Sequence, residues 1–438
     1  VRRNQPAAGP RRALAALCLT QIVGWGVLYY SFPVALPAIT ADTGWSEPST
    51  TAAFSAALVV AALAGIVVGR VIDGHGPRWV MTSGSIVGVG ATLGVAAAPG
   101  VGWFAAAWVV AGVAQAGTLY APAFTALTRW YGAARTRALT VLTLVAGLSS
   151  TIFAPATAAL LDHLSWRETY VVLAAILAVT TIPGHAVGLS APWPAADHTA
   201  RSYLRNGHVR AVATSRAFIC LTICAALTAF ALFAATIHLI PLLTHRDLSM
   251  SLAAWALGLS GAGQLLGRIG YAPLSRRTTP RARTVALLAA ATATIGAVGL
   301  LPGPAAVLGA ASIALGIARG AFTLLQSTAV SDRWGIAGFG TLYGILNAPT
   351  TVAMAIAPWA GSAIAQVVGG YPAMFAVLTA IAGVAAVVAL GTSARPELSE
   401  RAEPPVRAGR ARGPRPGWPA GWRPRASRAA GCRRGRAR

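Results

Sequence analysis

The 438-residue sequence predicts an all-α integral membrane protein of twelve transmembrane helices in two pseudo-symmetric six-helix bundles. Three observations predict it. Only 11% of the residues are charged and 55% are hydrophobic, against about 25% charged in soluble domains. Apolar runs of the roughly 20 residues that cross a hydrocarbon core recur along the body of the chain. The basic residues gather in alternate connections between those runs, as the positive-inside rule requires.

Taken in order, the spans fall at about 13–37, 50–70, 79–99, 102–128, 137–161, 169–189, 214–243, 250–271, 283–301, 304–327, 340–366 and 371–391. Residues 1–12, with Arg2, Arg3, Arg11 and Arg12, form a cytoplasmic N-terminus. The run after them is too long for a signal-peptide core, so it reads as a retained first span. Residues 13–189 make the N-terminal bundle and 214–391 the C-terminal one. Between them, 190–213 form a polar cytoplasmic linker that carries Pro192, Pro194, Asp197 and His198.

Nineteen arginines fall on the inner side of this arrangement, among them Arg70, Arg78, Arg129, Arg135, Arg268 and Arg333. The outer loops hold only Arg167 and Arg246. That asymmetry puts both termini in the cytoplasm, in a multi-pass protein of the cell membrane. Residues 392–438 hold 13 Arg and 3 Glu with almost no aliphatic residues. They read as a disordered cytoplasmic tail that can adhere to anionic lipid headgroups, not as a specific nucleic-acid binder. The tail supplies +10 of the net charge of +24.

Cys18, Cys220, Cys224 and Cys432 show no disulfide or metal spacing. No nucleophile–base pair or intramembrane carboxylate pair is visible, so the sequence predicts neither an enzyme nor a cofactor. The expected partners are a small-molecule solute and membrane lipids, with a proton or counter-anion as the coupling species, and the expected state is a monomer.

The halves resemble each other at an offset of roughly 200 residues, as in duplicated transporters. Gly69-Arg70-Val71-Ile72 leaves the second span as Gly267-Arg268-Ile269-Gly270 leaves the eighth. Gln115 stands before Arg129-Trp130 as Arg319 stands before Arg333-Trp334. Pro155 and Pro358 also correspond. Such a repeat places a solute site at the interface of the halves, near the midplane.

These residues resemble the major facilitator superfamily. Its loop signature stands here as Gly69-Arg70-Val71-Ile72-Asp73-Gly74-His75-Gly76-Pro77-Arg78, with Gly74 where a basic residue is usual. In the second half Tyr271 occupies the Asp position. Gly24-Trp25-Gly26, Tyr29-Tyr30-Ser31-Phe32-Pro33, His238-Leu239-Ile240-Pro241 and Trp166-Arg167 are similar to bacterial monocarboxylate and oxalate–formate members. The resemblance implies the major facilitator fold and alternating access. It implies a conformational latch of Gly69, Asp73, Gly76, Arg78 and Arg129, with Arg129 or Arg135 as the partner of Asp73. Charges that only satisfy the positive-inside rule are the alternative. The antiporter signature would place Gly before Pro155, where Ala154 stands.

Inside the spans no Asp or Glu is expected, and Arg319 is the one charge near mid-membrane, about 20 Å along a helix from Arg333 at 1.5 Å per residue. A charge there needs a cleft or a partner. A guanidinium suits a carboxylate through two parallel hydrogen bonds, so a small organic anion such as a monocarboxylate is the expected solute; the alternative is a structural arginine that donates to backbone carbonyls or to Gln115 and tyrosine side chains. The resemblance implies that helices one, four, seven and ten line the cleft. The candidate substrate-binding residues are Arg319, Gln115, Trp25, Tyr29, Tyr120, His238, Gln326, Tyr343 and Asn347. For the aromatics the alternative is helix packing. For His238 it is a hydrogen-bonded helix end rather than a proton carrier. Efflux of hydrophobic or cationic compounds, or a non-transporting sensor or scaffold, are the competing functions.

Overall fold

The structure, a computed structural model, describes residues 8–193, 207–301 and 303–393. Among them every regular element is helical. The first crossing joins α1 (Ala8–Trp25), a π-helical turn (Gly26–Tyr30) and α2 (Ser31–Thr43). Then come α3 (Glu47–His75), α4 (Pro77–Ala96), a fourth crossing of α5 (Val101–Thr118) and α6 (Tyr120–Tyr131), a fifth of α7 (Arg135–Ala146) and α8 (Ser149–Leu161), and α9 (Trp166–Ala186). The short α10 (His208–Ala213) precedes the second half. That half runs through α11 (Arg216–Ile237), α12 (Leu239–Thr244), α13 (Met250–Arg277), α14 (Pro280–Leu300), α15 (Ala305–Thr328), the short α16 (Ser331–Trp334), α17 (Phe339–Val368) and α18 (Tyr371–Val388).

Among the described residues, ten stretches are long and apolar enough to cross a membrane. One of them, Val101–Leu161, is 61 residues long and contains the bend at Gly132–Ala134, so it holds two crossings. α13 supplies the twelfth, and Arg268, Arg276 and Arg277 make it less apolar than the rest. The first helix begins at Ala8, within the segment expected to be a terminal extension. The tail from residue 394 lies outside the described residues.

Local chemistry sets the helix ends. Ser46, Ser165, Ser215, Ser249 and Thr279 each accept a first-turn backbone N–H, and Ser165 with Glu168 completes a capping box. Gly44 and Gly369 close their helices in the left-handed region, at φ 67° and 85°. Large apolar side chains such as Leu63, Val179 and Val367 stand exposed on the outer surface, as lipid-facing positions require.

The duplication is visible in the packing. α3 lies against α5 as α13 lies against α15, and α4 against α9 as α14 against α18. Small residues let these backbones approach. Gly112 sits on the Ala57 carbonyl, and Gly316 and Gly320 sit on those of Ser260 and Gln264. The two halves meet where α17 crosses α3 and α6, and where α13 and α15 reach α7. This seam reaches the helix ends nearest residues 190–193, where Trp193 meets Trp130, hereafter the linker face.

Candidate substrate site and bundle latch

A distortion of the first crossing builds one wall of the site. At the π-turn, the Phe153 ring stands 2.2 Å from where a Cβ on Gly26 would lie, so only glycine fits. The Leu28 carbonyl in this turn accepts from Gln115 Nε2 at 2.9 Å. In return Gln21 Nε2 donates to the Thr118 carbonyl at 2.6 Å, where the fourth crossing breaks at Leu119. Gln115 is thus a staple between crossings one and four, with its amide nitrogen committed to backbone.

These two irregular turns bring Trp25, Tyr29, Tyr30 and Tyr120 together. Ring centroids lie 5.4 Å apart for Trp25–Tyr29, 5.2 Å for Tyr29–Tyr30 and 4.9 Å for Trp25–Tyr120. The run continues from Tyr120 to Phe124 at 4.9 Å, and from Phe124 across the seam to Tyr343 of α17 at 5.9 Å. The hydroxyls of Tyr29, Tyr30, Tyr120 and Tyr343 bond to no described residue. Phenolic groups left unpaired between helices are ready donors for a bound molecule.

Arg319 faces this wall from the second half. It lies well inside α15, half-buried, with its guanidinium carbon 4.9 Å from the Phe233 ring centre. It makes no hydrogen bond or ion pair with a described residue. Tyr29, Tyr30 and Arg268 are the groups whose fields reach it. Leaving a guanidinium unmatched is costly away from water, so the arrangement suits an anionic guest.

The sequence reading missed Arg268. Expected on an inner segment, it lies inside α13 and is only 8% exposed, whereas its repeat counterpart Arg70 is exposed. Its Nη1 donates to the Thr143 carbonyl of α7 at 2.6 Å. Nine residues separate it from Arg277 at the helix end, and that spacing was the available signal. The correspondence with Arg70 pointed the other way.

The remaining candidates lie elsewhere. Gln326 Nε2 donates to Asn347 Oδ1 at 2.9 Å and Asn347 Nδ2 to Thr351 at 3.1 Å, a polar chain within the second half. His238 ends α11. Its Nδ1 bonds the Ala234 carbonyl at 2.9 Å and its Nε2 meets Ser362 Oγ at 3.0 Å, which satisfies both ring nitrogens outside the aromatic cluster. A further cavity of about 600 Å³, bordered by Ser215, Arg216 and Trp334, opens at the helix ends rather than at mid-membrane.

The latch residues converge on the linker face. Asp73 is 4% exposed. Its Oδ1 accepts from Gly340 N at 3.0 Å, and its Oδ2 from Thr341 N at 2.8 Å and Thr341 Oγ1 at 3.0 Å. A carboxylate thus caps the positive N-terminus of α17 in the other bundle. The close approach requires glycine: a Cβ on Gly69 would lie 2.2 Å from the Gly340 carbonyl oxygen. Arg129 Nη1 donates to the Asp73 carbonyl at 3.0 Å, and its guanidinium lies 4.8 Å from the Trp193 ring centre. Gly76, at φ 84°, turns the chain beneath Trp193. Arg78 stays within its own bundle, where Nε caps α9 through the Ala186 carbonyl at 2.7 Å.

Arg135 does not pair with Asp73. It pairs with Asp332 across the seam at 2.6 Å, and Asp332 also holds Arg283, which is 2% exposed. Nearby, burial pushes the Arg333 guanidinium down to about 10, with Arg283 adding repulsion. Hydrogen bonds to Pro280, Thr284 and Thr392 hold it in place.

Comparison with known proteins fits this geometry. The chain is similar in structure to a variant of the E. coli fucose:proton symporter FucP, with TM-score 0.69 and 14% identity over 88% of this chain and 100% of that one. It is similar to FucP in the outward conformation, with TM-score 0.67 and 14% identity over 87% and 99%. It is also similar to the human organic anion transporter MFSD10 (TETRAN), with TM-score 0.68 and 16% identity over 88% and 100%. No curated protein matches the sequence. The family model described as Major Facilitator Superfamily matches residues 17–340. A duplicated helical body, a carboxylate bridging its halves and a match over most of the chain lead to one assignment: this membrane transporter belongs to the Major Facilitator Superfamily.

Proposed function

We propose that the protein carries a small organic anion, of the monocarboxylate type, across the cell membrane by alternating access. The observation that carries this reading is Arg319, a guanidinium well inside a spanning helix that pairs with no described residue, near Tyr29 and Tyr30, whose hydroxyls are unclaimed among the described residues. A carboxylate there accepts two parallel bonds from the fork. The arginine distribution supports a cytoplasmic linker face. With that face bridged by Asp73 and Asp332, the site is closed toward the cytoplasm. One structural neighbour is named as an organic anion transporter and another as a fucose:proton symporter. At their low identity they speak to fold alone.

The test is uptake into proteoliposomes of radiolabelled acetate, lactate and pyruvate, with fucose as a neutral control. Carboxylate uptake that is lost in Arg319→Ala is expected. Undiminished uptake by that variant refutes the site. A drug-type exporter is the second reading, favoured by the run of aromatic faces from Trp25 to Tyr120, which can hold a cation. Arg319 beside those faces opposes it, and resistance to lipophilic cations on expression would revive it.

A further inference from the structure

Arg268 belongs to the second half, yet its one hydrogen bond among the described residues goes to the first. The acceptor, Thr143, lies in the last turn of α7, and the helix breaks at Gly147–Leu148 before α8 resumes. The Thr143 carbonyl already accepts from Gly147 N at 3.1 Å, and its second lone pair, at the negative end of the helix dipole, takes the guanidinium. Gly147 leaves the room: a Cβ at this position would stand 2.8 Å from Arg268 Nη1. Arg268 Nε is buried and unbonded. The bond therefore engages one nitrogen and leaves the rest of the fork unused.

The same guanidinium sits by the proposed anion site. Gly263 and Gly267 of α13 rest on the Ile313 and Ile317 carbonyls of α15, which brings Arg268 beside the helix that carries Arg319. The fields of Arg268 reach Arg319, Tyr30 and Tyr120. Two guanidiniums are thus neighbours, one unpaired and one tied to the opposite bundle.

We propose that Arg268 is a positioning residue that couples occupancy of the Arg319 site to opening of the linker face. With the cleft empty, Arg268 pins α13 to the broken end of α7. An anion bound beside Arg319 removes the repulsion between the two guanidiniums and offers Arg268 an ionised acceptor. Such a bond is shorter and stronger than one to a neutral carbonyl. The guanidinium leaves Thr143, the pin is released, and the linker face opens once the site is loaded. The pin stands on geometry alone, while its release by an anion rests on the anion reading of Arg319.

The experiment is hydrogen exchange of the full chain in nanodiscs, read at the Gly340 and Thr341 amides. These donate to Asp73 across the seam and so report opening of the linker face. Gly147→Ala displaces Arg268 without altering it, at a residue whose φ of −61° suits alanine. It should speed exchange about tenfold without any solute, as expected for losing one hydrogen bond to a charged group. Arg268→Gln should act in the same direction. Pyruvate should speed exchange in wild type and leave Gly147→Ala unmoved. Wild-type exchange rates in both variants overturn the pin. An equal pyruvate response in wild type and both variants overturns the coupling. Faster exchange in both variants, with no response of wild type to acetate, lactate or pyruvate, overturns the coupling and the anion reading together but leaves the pin.

Discussion

Asp73→Asn tests the latch with nearly no change of shape. The carboxylate makes three bonds to the N-terminus of α17, two of them through Oδ2. An asparagine can turn its one oxygen to the two Thr341 donors, but an N–H₂ then faces the Gly340 N–H and the two bonds it keeps lose their charge. Hydrogen bonds to a charged group contribute about 1.5 kcal/mol or more each, and neutral ones about half that. Losing one bond and the charge on two therefore costs the closed linker face about 3 kcal/mol, near 100-fold in its ratio to the open form. Water satisfies the donors in the open form, so the cost falls on the closed one. Spin labels at His75 and Ile336, both exposed at the linker face, in a background without the native cysteines, read the ratio by electron–electron double resonance. A new, longer distance component is expected in Asp73→Asn. An unchanged distribution, with the variant still folded by its thermal melting profile, refutes the latch.

Other outcomes follow from the same geometry. Gly69→Val should open the linker face as strongly as Asp73→Asn, because its side chain meets the Gly340 backbone rather than a movable side chain; the same distance measurement checks it. Asp332→Asn should destabilise the protein by about 3 kcal/mol, the usual range for stranding a buried charge, since Arg283 is left unmatched. Arg135→Gln, at a partly exposed member of the same group, should cost about 1 kcal/mol or less; thermal melting in detergent ranks the two. Arg319→Lys should keep part of the carboxylate uptake and raise the KM at least tenfold, because an ammonium lacks the two-pronged fork.

The twelve crossings were legible because lipid imposes a length and an apolar composition on each. The place of Asp73 at the seam was legible in part, since Gly69, Asp73 and Gly76 are close in sequence and the motif is local. Its acceptors were not: Gly340 and Thr341 lie 267 and 268 residues away, on a helix end that carries no charged side chain to announce it. The pairing of Arg135 with Asp332 spans 197 residues and was hidden for the same reason. Arg319 stood out because its distance from the next loop arginine exceeds half a membrane. Arg268 did not, because nine residues put it close enough to the helix end to be read as loop. Gln115 looked like a cleft residue by repeat position. The π-turn that claims its amide has no signature in hydropathy, because Gly26–Tyr30 is as apolar as its neighbours.

The paired glutamines carry a consequence for how a solute would experience the transport cycle. With Gln21 and Gln115 each clasping a main-chain oxygen of the other's helix, helices one and four travel as a single rigid plate with their rings fixed to it. Any change in grip between the two ends of the journey must then come from the gap between that plate and Arg319 widening or narrowing, much as a vice with one fixed jaw holds or frees its work.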